Sequence, residues 1–405
     1  MGDLVQGGFV RAVPAGALRA HASGAIRCSG SCSWRQRERL WWLLWSRCPG
    51  VGWVRLNALI RAFGSLEAAW AEPVEAFGSL QGWHPRLVAA LARFRLSWGA
   101  EPLAALAREV AGGRGVLLPG DGRWPEGIAT LVRPPLGLYW RGRGSLWRPL
   151  ARRAAVAVVG TRRPSTHGLA MARRLGAALG AAGWPVVSGL AEGIDAAVHE
   201  GCLRQGGAPV AVLGTPLERV YPRHHHQLQE SVASHGLLVS EQPTGMGVLP
   251  GHFAARNRLQ VGLSSAVVVV ECPASSGALH SANLAWSEGL PLWVVPADAG
   301  RASAAGSNRL LSRGATPLLD PADLLDSLGT GPLAGPALQA SQGGGISPGR
   351  SHFQRILLEA VGTAASLEDL SDRLGEPPAR VAVGLMELEK AGFLQAEPGL
   401  LWRPS

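Results

Sequence analysis

The chain has few of the features that mark membrane, secreted or disulfide-stabilised proteins. Lys390 is its single lysine, only 17% of its 405 residues are charged, and its five cysteines are scattered and odd in number. No apolar run is long enough to span a bilayer, and the first residues lack the apolar core of a signal peptide. An odd, scattered set of cysteines does not predict a disulfide framework. These absences predict a cytoplasmic protein with no membrane partner.

The cysteines also give little support for a metal site. Cys28 and Cys32 are close enough to form a ligand pair, but no second pair lies nearby, and Cys48 is too far along the chain to complete the set. Structural zinc sites need four protein ligands. We therefore expect no metal and no other cofactor.

Positive charge is present, is carried almost entirely by arginine and is unevenly distributed. The formal net charge is +10, with +10 on residues 1–150, +2 on residues 151–330 and −2 on residues 331–405. Guanidinium groups bind phosphates in bidentate fashion and stack on bases. Because coding bias alone also replaces lysine by arginine, the charge gives only weak support for a polyanionic partner.

Composition and periodicity predict one helical domain and, separately, two segments that do not form a packed core. Residues 1–36 are rich in Gly, Ala, Ser and Arg and predict a disordered leader. Residues 37–112 have apolar residues at helical spacing. Two of these helices are joined by the turn Pro49–Gly52. This helix–turn–helix arrangement resembles a helix–hairpin–helix or SAM-like domain, and a plain connector between helices fits equally well. A Gly-, Pro- and Ser-rich linker is predicted at residues 328–350.

Residues 351–405 show three helix signals followed by a hairpin, which is the order of a winged helix. The second helix begins with a Ser-x-x-Asp cap at Ser366. Winged helices often bind duplex DNA, but the third helix here carries Glu387 and Glu389 against Arg380 and one lysine. The acidic balance favours a protein contact over a DNA contact for this domain.

Residues 113–327 are predicted to form one domain, in which residues 114–150 are a strand-and-turn bridge and residues 153–327 alternate between strand-like and helical stretches. Several strand-like runs are continuously apolar, as expected for parallel strands that are covered on both faces. The pattern predicts an α/β fold, with an extended, Rossmann-like, doubly wound and mostly parallel sheet. The predicted strands are Ala155–Val159, Pro185–Ser188, Pro209–Leu213, Leu237–Ser240, Ala266–Glu271 and Leu292–Val295.

Two loops that follow the first two of these strands are suited to phosphate binding. Glycines let the backbone approach a ligand closely, and the helix starts that follow offer free N–H donors at the edge where open α/β sheets bind ligands. Ser165 or Thr166 is expected to cap the first of these helices. Neither a dinucleotide fingerprint nor a Walker loop is present, which disfavours NAD binding and ATP hydrolysis. The candidate residues in these two loops are Gly160, Thr161, Arg162, Ser165, Gly189 and Gly193.

Two further segments add cations, an aromatic ring and hydroxyl donors. Phe253 precedes Arg256, Asn257 and Arg258 at an expected helix start, and a stacking ring beside guanidinium groups is typical of single-strand binding. We expect one of the two arginines to pair with an acid such as Glu271 instead. In the second segment, Ser276 and Gly277 offer hydroxyl and backbone donors to an anion.

The same loops do not contain a clear catalytic set. His199 follows Asp195 by one helical turn, so the two form either a catalytic pair or, the favoured interpretation, a helix cap and a packing residue. A nucleophile elbow is absent, and no base lies near the serines in the sequence. We therefore expect a protein that binds phosphates and is not an enzyme.

Seven motifs taken together resemble the DNA-processing protein A family (DprA, also called Smf). They occur in order across residues 153–320, and with the flanking domains the resemblance extends from about residue 37 to the end. The motifs are VAVVGTRRPSTHG, VVSGLAEGIDAAVHEGCL, PVAVLGTPLERVYPRHHHQL, GLLVSEQPTG, HFAARNRLQVGLSSAVVVVE, SSGALHSANLAWSEG and GSNRLLSRGA.

The resemblance implies a Rossmann-like domain that binds single-stranded DNA in a basic pocket. It also implies homodimerisation through that domain and loading of the RecA recombinase during natural transformation. Carried over by motif, Phe253 stacks a base, Arg162 binds phosphate together with the loop glycines, and Arg256 begins the R-N-R segment. The sequence differs from the family pattern at Ala254, Ala278, His280 and His225.

Two other functions remain open at this point. One is a nucleotide-processing enzyme of the Rossmann-like phosphoribohydrolase type, whose P-G-G-x-G-T-x-x-E segment is replaced here by SSGALHSANLAW. The other is a duplex-DNA regulator that acts through the C-terminal domain, which the acidic balance of that domain disfavours.

Overall fold

The computed structural model describes most of the chain, namely residues 36–110, 115–334, 352–390, 392–397 and 401–404. The predicted leader at residues 1–36 lies almost wholly outside these ranges, as do Cys28, Cys32 and most of the predicted linker at residues 328–350. None of the described helices is both long and apolar enough to cross a membrane.

Helices form the N-terminal region and alternate with strands in the centre. They are α1 (Gln36–Ser46), α2 (Trp53–Phe63), α3 (Leu66–Ala71), α4 (Pro85–Trp98), α5 (Pro102–Val110), α6 (Glu126–Ala129), α7 (Trp147–Ala151), α8 (Thr166–Ala181), α9 (Ile194–Arg204), α10 (His226–His235), α11 (Pro250–Gly262), α12 (Ala278–Ser287), α13 (Ala305–Ser312), α14 (Pro321–Leu328), α15 (His352–Val361), α16 (Leu367–Leu374) and α17 (Pro378–Lys390).

The strands belong to one large central sheet and one small C-terminal sheet. They are β1 (Gly115–Leu117), β2 (Leu138–Gly142), β3 (Val156–Val159), β4 (Val186–Ser188), β5 (Pro209–Leu213), β6 (Leu237–Ser240), β7 (Ala266–Val269), β8 (Leu292–Val294), β9 (Thr316–Pro317), β10 (Ala365–Ser366), β11 (Leu394–Glu397) and β12 (Leu401–Pro404).

The N-terminal helices pack around a hydrophobic core of buried tryptophans and leucines. Trp41, Trp42 and Trp45 of α1 are buried together, so this helix is apolar on most of its circumference. The indole N–H of Trp42 donates to the carbonyl of Leu136 at 2.6 Å, which fixes the helical region to the segment before β2. The helical N-terminal region is as predicted, and its assignment as a helix–hairpin–helix or SAM-like domain stays a prediction.

The central sheet has nine strands in the order β1-β2-β6-β5-β4-β3-β7-β8-β9. The strands from β6 to β9 in this order pair in parallel, and β1 and β2 add an antiparallel edge beside β6. The chain order reverses between β3 and β7, and ligands of open α/β sheets bind at such a reversal. The predicted doubly wound, mostly parallel sheet is confirmed.

All six predicted strands are present, with small differences at their ends. The strand predicted as Ala266–Glu271 ends at Val269, and Val270 and Glu271 begin the loop toward α12. Strands β3 to β7 are buried along their whole length, as their continuous apolar runs indicated.

The C-terminal elements follow the order helix, strand, two helices and two strands. Their sheet is antiparallel in the order β10-β12-β11. Ser366 caps α16 by accepting from the N–H of Asp369 at 3.1 Å, and the Asp369 carboxylate accepts in return, so the predicted cap is confirmed. The name winged helix for this domain stays a prediction.

Candidate nucleic-acid interface

The predicted loops after β3, β4 and β7 meet at the carboxyl edge of the parallel strands, and Thr161 joins them. The Thr161 N–H donates to the carbonyl of Glu271 at 2.7 Å, and its own carbonyl accepts from the N–H of Ile194 at 3.2 Å. A Cβ atom on Gly193 would lie 2.5 Å from the same carbonyl, and Gly193 has a φ of +80°. Both properties explain why glycine is required there.

Ser165 anchors the first loop to the strand across the point of reversal. Its hydroxyl accepts from the N–H of Gly168 at 3.1 Å, which confirms it as the cap of α8. The same hydroxyl donates to the Glu271 carboxylate at 2.8 Å, and the Ser165 N–H donates there at 3.0 Å. Glu271 is buried and braces this loop through its two hydrogen bonds with Ser165, and no described arginine forms an ion pair with it.

The second loop closes over a buried carboxylate. Asp195 accepts from the N–H groups of Gly189 and Ala191 at 3.2 and 3.4 Å. The prediction that Asp195 caps its own helix is wrong, because Gly193 is the N-cap residue and the carboxylate turns back to the preceding loop. Leu190 in this loop has a φ of 55°, which is unusual for a bulky residue.

His199 lies one turn further along α9 and is fully buried, as the packing interpretation expected. Burial, together with the nearby charges of Arg256 and His225, lowers the pKa of His199 to about 3. At neutral pH the imidazole is therefore uncharged. It lies beneath the loops, where it does not face an incoming ligand.

Arg256 is the centre of the buried contacts beneath the site. Only 6% of it is exposed. Its Nη1 donates to the carbonyl of Val212 at 2.7 Å, and its Nη2 lies 3.8 Å from the Asp195 carboxylate. Burial lowers the pKa of Arg256, the Asp195 charge opposes this, and the charge of Arg162 lowers it further. Burial likewise raises the pKa of Asp195, against the effect of Arg256.

The expectation that an arginine of the R-N-R segment pairs with an acid is confirmed in kind, but the acid is not Glu271 and both arginines pair: Arg256 with Asp195, and Arg258 with Glu241 at 2.6 Å. The expected position of the segment is wrong, because it lies in the middle of α11 and not at its start. The reason is that Pro250 occupies the first turn, where proline favours helix initiation.

Arg162 and Phe253 form the solvent-facing part of the site. The Arg162 guanidinium carbon lies 5.7 Å from the centroid of the Phe253 ring, in cation–π contact. Arg162 is exposed and Phe253 half-buried. In the described part of the chain no carboxylate forms an ion pair with Arg162, so its charge is open to a ligand. The backbone of Gly214 also lies against Phe253, because a Cβ atom on Gly214 would be 2.8 Å from the ring.

The fourth predicted loop is tied to α11 by Asn257. The Asn257 side-chain amide donates to the carbonyl of Gly277 at 3.2 Å. The Ser276 hydroxyl accepts from the N–H of Ala278 at 3.2 Å and keeps its own proton for another acceptor. The structure therefore brings residues of all four predicted loops to one edge, although binding of DNA by each of them stays a prediction.

Three residues outside the predicted site set contact or support the site, and of these only His225 was singled out in the sequence, as a departure from the family pattern. Tyr221 packs its ring 4.9 Å from that of Phe253. His225 places Nδ1 3.0 Å from the carbonyl of Leu190 and so ties the loop after β5 to the loop after β4. Ser307 accepts from the N–H of Cys272 at 2.8 Å and supports the fourth loop. For Tyr221 a signal existed, since it is one of two tyrosines in the sequence and lies in the loop that follows the predicted strand Pro209–Leu213.

No group of three or more His, Cys, Asp or Glu side chains in the described ranges is arranged to hold a metal ion. Cys48, Cys202 and Cys272 are buried free thiols. Burial raises the pKa of Cys48 and of Cys202 to about 12 and that of Cys272 to about 11. These thiols therefore remain protonated and unreactive at neutral pH.

Comparison with known proteins identifies similar chains in several bacteria. The family described as DNA recombination-mediator protein A matches residues 115–329, more than half of the chain. Protein Smf of Synechocystis sp. is 33% identical over 398 residues, which cover 90% of this chain and 98% of that protein. A putative DNA processing protein DprA of Mycobacterium tuberculosis is 33% identical over 376 residues, covering 89% of this chain and 93% of that one. The solved structure of DNA processing protein A from Streptococcus pneumoniae superposes with a TM-score of 0.59 at 25% identity, over 71% of this chain and 96% of that chain.

Proposed function

Because this chain belongs to the DNA recombination-mediator protein A family, we propose that it binds single-stranded DNA at the carboxyl edge of its parallel strands. The observation that carries the proposal is the contact between the exposed guanidinium of Arg162 and the half-buried ring of Phe253. A free cation neutralises a backbone phosphate, and an adjacent ring stacks an unpaired base. These are the two interactions from which sequence-independent single-strand binding is built.

The buried arginine supports the site from beneath. Arg256 is held by Asp195 and by the carbonyl of Val212, so we assign it a positioning role in addition to its positive field. On one side, Arg256 fixes the loop after β4, which contains Gly189 and is called the glycine loop below. On the other side, its Nε lies 3.4 Å from the carbonyl of Phe253, one turn earlier on α11.

The remaining parts of the proposal derive from the family. We propose that the protein acts in the cytoplasm as a homodimer, loads the RecA recombinase onto the bound strand during natural transformation, and uses a C-terminal winged-helix domain for protein contacts. We also propose that it acts by binding and not by catalysis. The Ser165 hydroxyl supports this, since it both donates to Glu271 and accepts from the N–H of Gly168 in the hydrogen bonds that shape its loop.

A titration of labelled oligonucleotides tests the proposal. Oligo-dT and a duplex of equal length are compared by fluorescence anisotropy across a salt series. We expect tighter binding of oligo-dT and a linear fall of log K with log salt, with a slope of about −0.7 for each phosphate contacted. Equal or tighter binding of the duplex would overturn single-strand specificity. Turnover of nucleoside monophosphates by the pure protein would favour the phosphoribohydrolase alternative.

A further inference from the structure

The loop between β5 and α10 carries an aromatic side chain that is not among the predicted site residues. Tyr221 is 46% exposed, and among the described residues no other Phe, Trp or Tyr is exposed to this degree. Its ring centroid lies 4.9 Å from that of Phe253, and the two rings are inclined at 47°. Nearly half of the Tyr221 side chain therefore remains exposed to water beside the proposed DNA site.

Two arginines flank this ring in the same loop. Arg219 and Arg223 are both exposed. Within the described ranges no carboxylate lies within ion-pair distance of either side chain. The loop thus combines a free ring with two free guanidinium groups, the same combination that Phe253 and Arg162 provide next to it.

The backbone of the loop is fixed at both ends. The Thr215 hydroxyl donates to the carbonyl of Arg219 at 2.9 Å. The His225 ring lies 3.0 Å from the carbonyl of Leu190. Because these contacts hold the loop before any ligand arrives, ordering Tyr221 on binding costs little conformational entropy.

We propose that Tyr221, Arg219 and Arg223 form a second nucleotide subsite, which takes the base and phosphates next to the nucleotide held by Phe253 and Arg162. This proposal rests on the proposed function. The angle between the two rings requires that the two bases no longer stack on one another. Paired bases in a duplex cannot separate in this way without cost, so the subsite contributes to selection of single strands.

An abasic oligonucleotide distinguishes base stacking from charge. Affinities of the full-length protein and its variants are measured for oligo-dT and for an abasic strand of equal length, which has the same phosphates and no bases. We expect Tyr221→Ala to lower the affinity for oligo-dT about tenfold, as expected for the loss of one stacked base, and to leave the affinity for the abasic strand unchanged. Tyr221→Phe keeps the ring and is expected to bind as the wild type does.

The arginines give a different expected result. Arg223→Gln and Arg219→Gln should each weaken binding to both strands alike and reduce the salt slope by about 0.7. The matched control is Arg204→Gln. Arg204 is exposed in the last turn of α9, which runs from the carboxyl edge of the sheet toward the opposite edge. This control should change neither affinity nor slope.

The results separate this inference from the proposed function. If the wild type binds oligo-dT and Tyr221→Ala discriminates between the two strands as the wild type does, the subsite is wrong and the proposed function stands. If the wild type does not bind oligo-dT, the proposed function fails and the subsite with it. Should Tyr221→Ala not fold, Tyr221→Leu decides, since leucine keeps an apolar contact with Phe253 and has no ring. Retention of full discrimination by that variant would also overturn the subsite.

Discussion

Gly189 lies so close to Arg256 that a Cβ atom on the glycine would be 1.4 Å from Nη1 of the arginine. The guanidinium cannot retreat, because it is buried and bonded to the carbonyl of Val212. Glycine is therefore needed at this position for a close approach between loop and side chain. Through this contact the loop after β4 is packed against α11, the helix that presents Phe253.

The first prediction concerns this contact. Gly189→Ala should lower the free energy of unfolding by about 1–3 kcal/mol, as expected for overpacking of a buried site, and should weaken oligo-dT binding because the loop and α11 are forced apart. Urea unfolding and anisotropy measure the two effects. The control is Gly251→Ala in the exposed first turn of α11, where no atom lies within 4 Å of the added Cβ. A Gly189→Ala variant that is as stable as this control would contradict the packing described.

The second prediction concerns the buried ion pair. Asp195→Asn leaves the Arg256 charge without its counterion, and breaking such a pair costs about 3–5 kcal/mol. The control is Glu200→Gln, which breaks the pair between Glu200 and Arg173; these side chains are 38% and 39% exposed. An exposed pair contributes only about 0–1 kcal/mol. Equal losses in urea unfolding for the two variants would show that Asp195 does not support Arg256.

The third prediction concerns pH and His199. Burial lowers the pKa of His199 to about 3 in the folded state, whereas an unfolded histidine titrates near 6.5. As the pH falls below about 6.5 the unfolded chain binds a proton that the folded chain does not, so stability falls until the pH reaches about 3. From pH 6.5 to 5 this amounts to about 1–2 kcal/mol. His199→Gln cannot titrate and should lose that much less over the same interval. Parallel stability curves for the two proteins would refute the assignment.

The fourth prediction concerns the exposed cation. Arg162→Ala should weaken binding to single strands of every sequence alike and reduce the salt slope by about 0.7. The free energy of unfolding should fall by at most about 1 kcal/mol, since Arg162 forms no ion pair with a described carboxylate and loses only an exposed cation–π contact with Phe253. Arg152→Ala is the control, because Arg152 is exposed just before the start of β3, at the other end of that strand. If both variants bind equally well, Arg162 is not a phosphate contact.

Sequence patterns predicted the central sheet well because they are local. A continuous apolar run such as Val156–Val159 requires cover on both faces whatever surrounds it. Ser165 is a favourable cap for the helix that follows it, independent of any distant residue. The loops after these strands were also predictable, because parallel strands place their carboxyl ends at one edge.

The errors concern contacts between distant segments. The sequence contains several acids that Arg256 could reach, and nothing local favours Asp195, 61 positions earlier, over Glu271. The position of Arg256 within α11 decides the partner, since the helix begins at Pro250 and its seventh residue then points under the glycine loop.

The sequence by itself thus determined the order of strands and helices, the parallel sheet and the edge at which its glycines and cations gather. Only the tertiary structure decided which guanidinium faces water and which is buried, since Arg162 contacts the Phe253 ring at the surface while Arg256 lies beneath Gly189. The physical reason is that periodicity and capping act over a few residues, whereas desolvation and charge pairing depend on segments that come together only when the sheet has formed.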